Sequence, residues 1–94
     1  MSVKASHWAW QQALPPAQKV VLLALADHSD DNGKCWPSVR LLAAKSCSST
    51  RTVQRVIRAL QDAGLVSVKS QPRPGSNAQT SNLYTLALSI PPSN

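Results

Sequence analysis

Phenylalanine is absent from the 94 residues and tyrosine occurs once, which leaves three tryptophans with nearly all the aromatic bulk. Any core must therefore be assembled from Leu, Val, Ala and Trp; apolar residues make up 43% of the chain, enough for one core. Acids are almost as scarce. Of four, Asp27, Asp30 and Asp31 sit together and Asp62 stands alone. Two cysteines, Cys35 and Cys47, are too few for a disulfide scaffold. The longest apolar run, Val20 to Ala26, falls far short of the roughly 20 residues of a membrane span, and no secretory signal is visible. Catalysis lacks material too: three clustered acids provide no nucleophile, base and orienting group. His7, His28, Cys35 and Cys47 contain no closely spaced ligand pair of the kind a zinc site uses. These shortages predict a soluble, reduced, cytosolic, non-catalytic protein with no cofactor, metal or membrane partner.

What the chain has in excess is positive charge, ten Lys and Arg against four acids, net +6. The excess is uneven. From Asn32 onward there are eight basic residues and one acid, an asymmetry that suits a polyanion such as the phosphate backbone of nucleic acid. The length fits one domain, and a domain this small buries only roughly two-thirds of its unfolded surface, so its core must be compact.

Read along the chain, residues 1–13 form either a short helix or an extended arm. Trp8 and Trp10 are two apart and would not share a helical face, so one belongs in the core and the other outside it or under a partner. Pro15-Pro16 suits a first helical turn, and Ala17 to His28 follows as a helix apolar nearly all round, the mark of a central core element. His28 at its end places a cation where the helix dipole favours one. Ser29-Asp30-Asp31-Asn32-Gly33 is a turn cluster, and Lys34 to Trp36 can add one small strand. Ser38 is a helix cap for a second helix running to about Lys45, with Val39, Leu42 and Ala43 as its buried stripe. Ser46-Cys47-Ser48 turns the chain. Ser49 caps a third helix from Thr50 to about Ala63, with Val53, Val56, Ile57 and Leu60 inward and Gly64 closing it. Leu65 to Ser70 and Tyr84 to Leu88 alternate as two strands, joined by a polar loop from Gln71 to Asn82.

Short helix, tight turn, longer helix and hairpin make a helix-turn-helix with a wing. The expected fold is α+β and mostly helical, a three-helix core plus an antiparallel hairpin. The expected domain covers residues 14–90, with 1–13 ahead of it and the start of a linker at 91–94. With the apolar stripe of the third helix inward, Arg51, Gln54, Arg55 and Arg58 turn outward. A basic helix face standing alone is ordinarily just solvated; after a turn and before a wing it is placed to meet duplex DNA. Arg51, Gln54 and Arg55 are the base-reading candidates, since Arg pairs with guanine O6 and N7 and Gln with adenine N6 and N7. Thr50 and Thr52 offer hydroxyls to phosphate or base, and Arg58 lies a turn further on, toward the backbone. Ser38 and Arg40 open the second helix, whose N-terminus can hold a phosphate. Lys69 and Arg73 lie on the wing, Arg73 near enough to its tip to enter a narrow minor groove. Trp8 or Trp10 is expected to help pair two protomers across paired half-sites.

The segments KVVLLALADHSDDNGKCWPS (Lys19–Ser38), LLAAKSCSSTRTVQRVIRALQDAGLV (Leu41–Val66) and SNLYTL (Ser81–Leu86) resemble the helix-turn-helix domains at the N-termini of phage, plasmid and mobile-element replication initiation proteins. The resemblance implies origin binding in replication initiation, with replication-machinery proteins as partners through a further C-terminal region. It also implies DNA contact by Ser38, Ser49, Thr50, Arg51, Gln54 and Arg55. A transcriptional repressor at an operator is the alternative, and a winged helix that binds proteins is the more distant one. Two positions differ from the usual pattern. Pro15 stands where the first core helix commonly has a Ser or Thr cap. Cys47 stands where the turn commonly has glycine, a site that strains Cys47 if the backbone there is left-handed.

Overall fold

A computed structural model describes residues 3–72 and 80–88. The order is α1 (Val3–Trp10), α2 (Pro16–His28), β1 (Lys34–Cys35), α3 (Val39–Ser46), α4 (Thr50–Asp62), β2 (Val66–Pro72) and β3 (Thr80–Leu86). The three strands form one antiparallel sheet in the order β1-β3-β2. Helices α2, α3 and α4 pack on one another, and the β2–β3 hairpin follows α4 directly. This is a winged helix-turn-helix, mostly helical, with α3 and α4 as its two motif helices. Position 73 and residues 91–94, which carry the Arg73 and linker expectations, lie outside the described residues.

The two readings left open at the N-terminus resolve to a helix. Ala5, Trp8 and Ala9 recur at helical spacing and are buried, so α1 adds a fourth helix to the expected three. Trp8 is the core tryptophan and Trp10 is 64% exposed, so Trp8 is not available to pair protomers. Lys19 of α2 fastens α1 in place. Its ammonium donates to the carbonyls of Trp10 and Gln12 and lies over the Trp10 ring, 5.7 Å from the centroid. A cation there answers the orphan carbonyls and the negative dipole at the C-terminal end of α1. Gln12, also buried, donates to the Trp8 carbonyl at 3.2 Å.

Helix α2 begins without a side-chain cap. Pro15 holds extended backbone and Pro16 occupies the first turn, where its missing N–H costs no hydrogen bond. Val21, Leu22, Ala24, Leu25 and Ala26 are buried. At its far end the Asp30 carboxylate accepts from the N–H groups of Asn32 (2.9 Å) and Lys34 (3.0 Å). This side-chain turn delivers the chain into β1. Gly33 has φ +79°, and a Cβ there would sit 2.9 Å from the Leu86 carbonyl oxygen. Glycine is thus required both by the left-handed backbone and by the close approach of β3.

The hairpin is longer than its side-chain pattern suggests. Pairing continues past Ser70 through Gln71↔Ser81 to Pro72↔Thr80, so the expected loop from Gln71 to Asn82 contracts, and the second strand ends at Leu86 instead of Leu88. Ladder hydrogen bonds join main chains and need no apolar alternation, so the polar ends of both strands carry the sequence pattern of a loop. Pro72 is admissible because β2 is an edge strand, where a residue without N–H can face away from the ladder. Tyr84 and Leu86 fill the inner face of the sheet and are at most 2% exposed. Among the described residues no helix is long and apolar enough to cross a membrane.

Candidate nucleic-acid interface

The turn between α3 and α4 sets the geometry of the candidate site. Ser38 caps α3 by accepting from the Leu41 N–H at 3.0 Å. The helix closes with crossed bonds, Ser48 N–H to Ala43 O (2.9 Å) and Cys47 N–H to Ala44 O (3.3 Å). That closure demands one left-handed residue, and Cys47 takes it with φ 54°. Ser48 then donates to the Ser46 carbonyl. Ser49 caps α4, its Oγ accepting from the Thr52 N–H at 3.1 Å and donating to Thr52 Oγ1 at 3.0 Å. The hydroxyls of Ser38 and Ser49 are therefore engaged in starting helices, and the Thr52 hydroxyl is tied to Ser49.

On α4, Val53, Val56, Ile57 and Leu60 are buried, and this fixes what the opposite side presents. Arg51, Gln54, Arg55 and Arg58 are all exposed. With Gln61 they line one shallow surface groove of about 480 Å³. A second groove, of about 280 Å³, runs where α2 meets α4 and is lined by Gln18, Thr52, Arg55, Val56 and Ala59. Arg55 lines both. The structure thus brings Arg51, Gln54, Arg55 and Arg58 together, while Thr52 turns toward α2. Thr50, Ser49, Ser38 and Arg40 are exposed around the turn and the start of α3, and Lys69 is exposed on β2. Gln61 and Gln18 were not among the candidates. Gln61 is three residues beyond Arg58 and seven beyond Gln54, so helical spacing could have found it; Gln18 lies on a different helix and carried no local signal.

Charge on this face is uncompensated. Among the described residues the one ion pair is Lys45 to Asp27, at 2.7 Å, joining α3 to α2. That pair consumes a lysine of the turn and leaves the α4 arginines without a carboxylate partner. The hydrogen bond from Lys45 holds the Asp27 carboxyl below its usual value. Cys35, on β1 with its side chain in the core, has its thiol pushed up to about 12 because burial disfavours the thiolate, with the Asp30 charge adding to the effect. It is an inert packing residue at neutral pH, whereas Cys47 is exposed.

A family model described as helix-turn-helix domain matches residues 12–66, more than half the chain. The chain belongs to the helix-turn-helix domain family. The match runs from the link between α1 and α2 to the first residue of β2 and so contains α2, α3, the turn and α4. Helix-turn-helix domains as a class place their second motif helix in the major groove of DNA. This chain is also similar to the protein YmfN of Escherichia coli (strain K12), 29% identical over 75 residues, which covers 76% of this chain. The chain spans only 16% of that relative's length. No solved structure matches the chain.

Proposed function

We propose that this helix-turn-helix domain reads a specific duplex sequence by laying α4 in the major groove, and that the sequence it reads lies in an origin of replication. Arg51, Gln54 and Arg55 take the base edges. Arg58, Lys69 and Arg73 meet the phosphates or the minor groove, and Ser38, Arg40, Ser49 and Thr50 hold the backbone around the start of each motif helix. The observation that carries the reading is the grouping of three arginines and a glutamine on one exposed face of α4, opposite its buried stripe and with no carboxylate to neutralise them. Guanidinium and amide groups presented this way match purine edges in the major groove. An acidic or apolar α4 would instead have favoured a protein partner. The origin is supported by the resemblance of Lys19–Ser38 and Leu41–Val66 to replication initiation proteins. The reading includes two protomers paired through the α1 end, where Trp10 is exposed, replication-machinery proteins as further partners, and no catalytic role.

Selection of bound fragments from random and from genomic DNA tests this. Recovery of repeated sites clustered at an origin is expected, and sedimentation of the bound complex should give two protomers per paired site. Sites lying over promoters would overturn the origin assignment and leave the DNA reading intact. Fragments recovered without any shared sequence would overturn base reading by α4.

A further inference from the structure

We propose that the outer face of the β1-β3-β2 sheet is a second nucleic-acid surface, which takes single-stranded DNA by stacking a base on Trp36 between Lys34 and Lys69. Exposure alternates from Lys34 to Ser38: Lys34, Trp36 and Ser38 are exposed, and Cys35 and Pro37 are buried. That period of two is the signature of an extended chain, so Trp36 shares the outward face with Lys34. The register supplies the other side of the surface. Cys35 pairs with Tyr84 and Tyr84 with Val68, and the next rung joins Leu83 to Lys69. Because β1 runs antiparallel to β3, the chain leaves Cys35 in the direction of that next rung. Carried one residue past the end of β1, the same extended path brings Trp36 level with Leu83 and Lys69 on that face, with Lys69 two strand spacings away, about 10 Å, and Lys34 about 7 Å back along β1.

Trp36 is 50% exposed. Unlike Trp10, which has the Lys19 ammonium over its ring, its indole has no cation or hydrogen-bond partner among the described residues. Of the two carboxylates nearest along the chain, Asp31 is exposed in the turn before β1 and Asp30 is turned onto the backbone N–H groups of Asn32 and Lys34. The surface is thus an open aromatic plate with one lysine behind it along the chain and another across the sheet. A stacked base with its flanking phosphates satisfies both features, and this combination binds single strands with little regard to sequence. An acidic peptide would engage the lysines and leave the indole unused. A duplex keeps its base faces in its own stack. The buried residues Cys35, Tyr84 and Leu86 point to the helices, so this face is turned away from the helical layer that carries the α4 arginines. The inference does not depend on the reading of α4.

The test uses the full chain in a Trp10→Phe background, where Trp8 is buried and Trp36 is the responsive fluorophore. Titration with a thymidine oligonucleotide of roughly 12 bases should quench Trp36 emission saturably. Trp36→Ala, followed by the anisotropy of a labelled oligonucleotide, should weaken that binding about tenfold with duplex affinity unchanged, the retained duplex binding showing that the variant is folded. Arg51→Ala should do the reverse, so failure of either site is seen separately. Equal oligonucleotide affinity with and without Trp36 would overturn the proposal. So would polyglutamate quenching Trp36 as strongly as the oligonucleotide, or Trp36→Ala weakening duplex binding by the same factor.

Discussion

Two residues show how far single positions determine this molecule. Cys47 sits in left-handed backbone at φ 54°, a conformation that costs a non-glycine residue about 1–2 kcal/mol. Cys47→Gly removes that strain but gives the unfolded chain back about 0.5–1 kcal/mol of freedom. The variant should therefore be more stable by about 0.5–1 kcal/mol in urea denaturation, with DNA affinity unchanged because the thiol takes no part in the turn's hydrogen bonds. A loss of stability would mean that the Cys47 side chain contributes packing which its exposure does not suggest. On α4, Arg51→Ala or Gln54→Ala should each cost about 1–3 kcal/mol of specific binding and relax discrimination at one base pair. Binding measured against a panel of single-base variants of the selected site checks this; an unaltered preference would remove the residue from base reading. Such positions were legible in the sequence because a helical wheel needs only spacing. Gln18 was not, since its place beside Arg55 arises from the packing of α2 on α4 and no local pattern encodes a neighbour on another helix.

The elements were legible wherever a cap or a stripe marks them. Ser38 and Ser49 announce α3 and α4, Pro16 announces α2, and Gly64 ends α4 with φ +78°, its N–H donating to the Gln61 carbonyl and the Leu65 N–H to the Leu60 carbonyl. Ser49→Ala should cost about 1 kcal/mol of stability through loss of the cap, and more in DNA affinity than Ser38→Ala if α4 is the reading helix; thermal melts and titrations of both variants decide. The outer strands were harder, because a wing held by main-chain bonds and polar side chains gives no alternation to read. The link between α2 and α3 has a pH signature. Asp27 has a lowered pKa in the folded state because Lys45 donates to it, so its contribution is present above the unfolded value of 3.8 and is lost as pH falls through the lower folded value. Both side chains are more than a third exposed, which limits the contribution to at most about 1 kcal/mol. Asp27→Asn should be less stable than the parent by that margin at neutral pH and indistinguishable from it near roughly pH 2. A difference that survives in acid would point to packing instead of charge.

At the scale of the whole molecule, charge separates from shape. Three of the four acids gather near the end of α2 and in the turn after it, where Asp27 is paired with Lys45 and Asp30 is occupied with the β1 turn; the fourth, Asp62, ends α4 and forms no ion pair among the described residues. The arginines of α4 and the lysine of the wing are left uncompensated on the surface. A buried stripe of four apolar residues orients α4, so the forces that make the core also decide which way the guanidinium groups face. Affinity should then divide into a part set by base edges and a part set by counterion release from phosphates, the second falling linearly with the logarithm of salt concentration at a slope of about 0.9 per phosphate contacted. Lys69→Ala removes a charge that lies on β2, off the reading helix. It should weaken binding to specific and random duplexes alike and flatten the salt slope by about one unit, whereas Gln54→Ala, which changes no charge, should leave the slope as it is. Titrations of both variants at a series of salt concentrations separate the two. If Lys69→Ala leaves the slope unchanged, the wing does not touch the duplex, and the positive charge on the sheet serves the single strand alone.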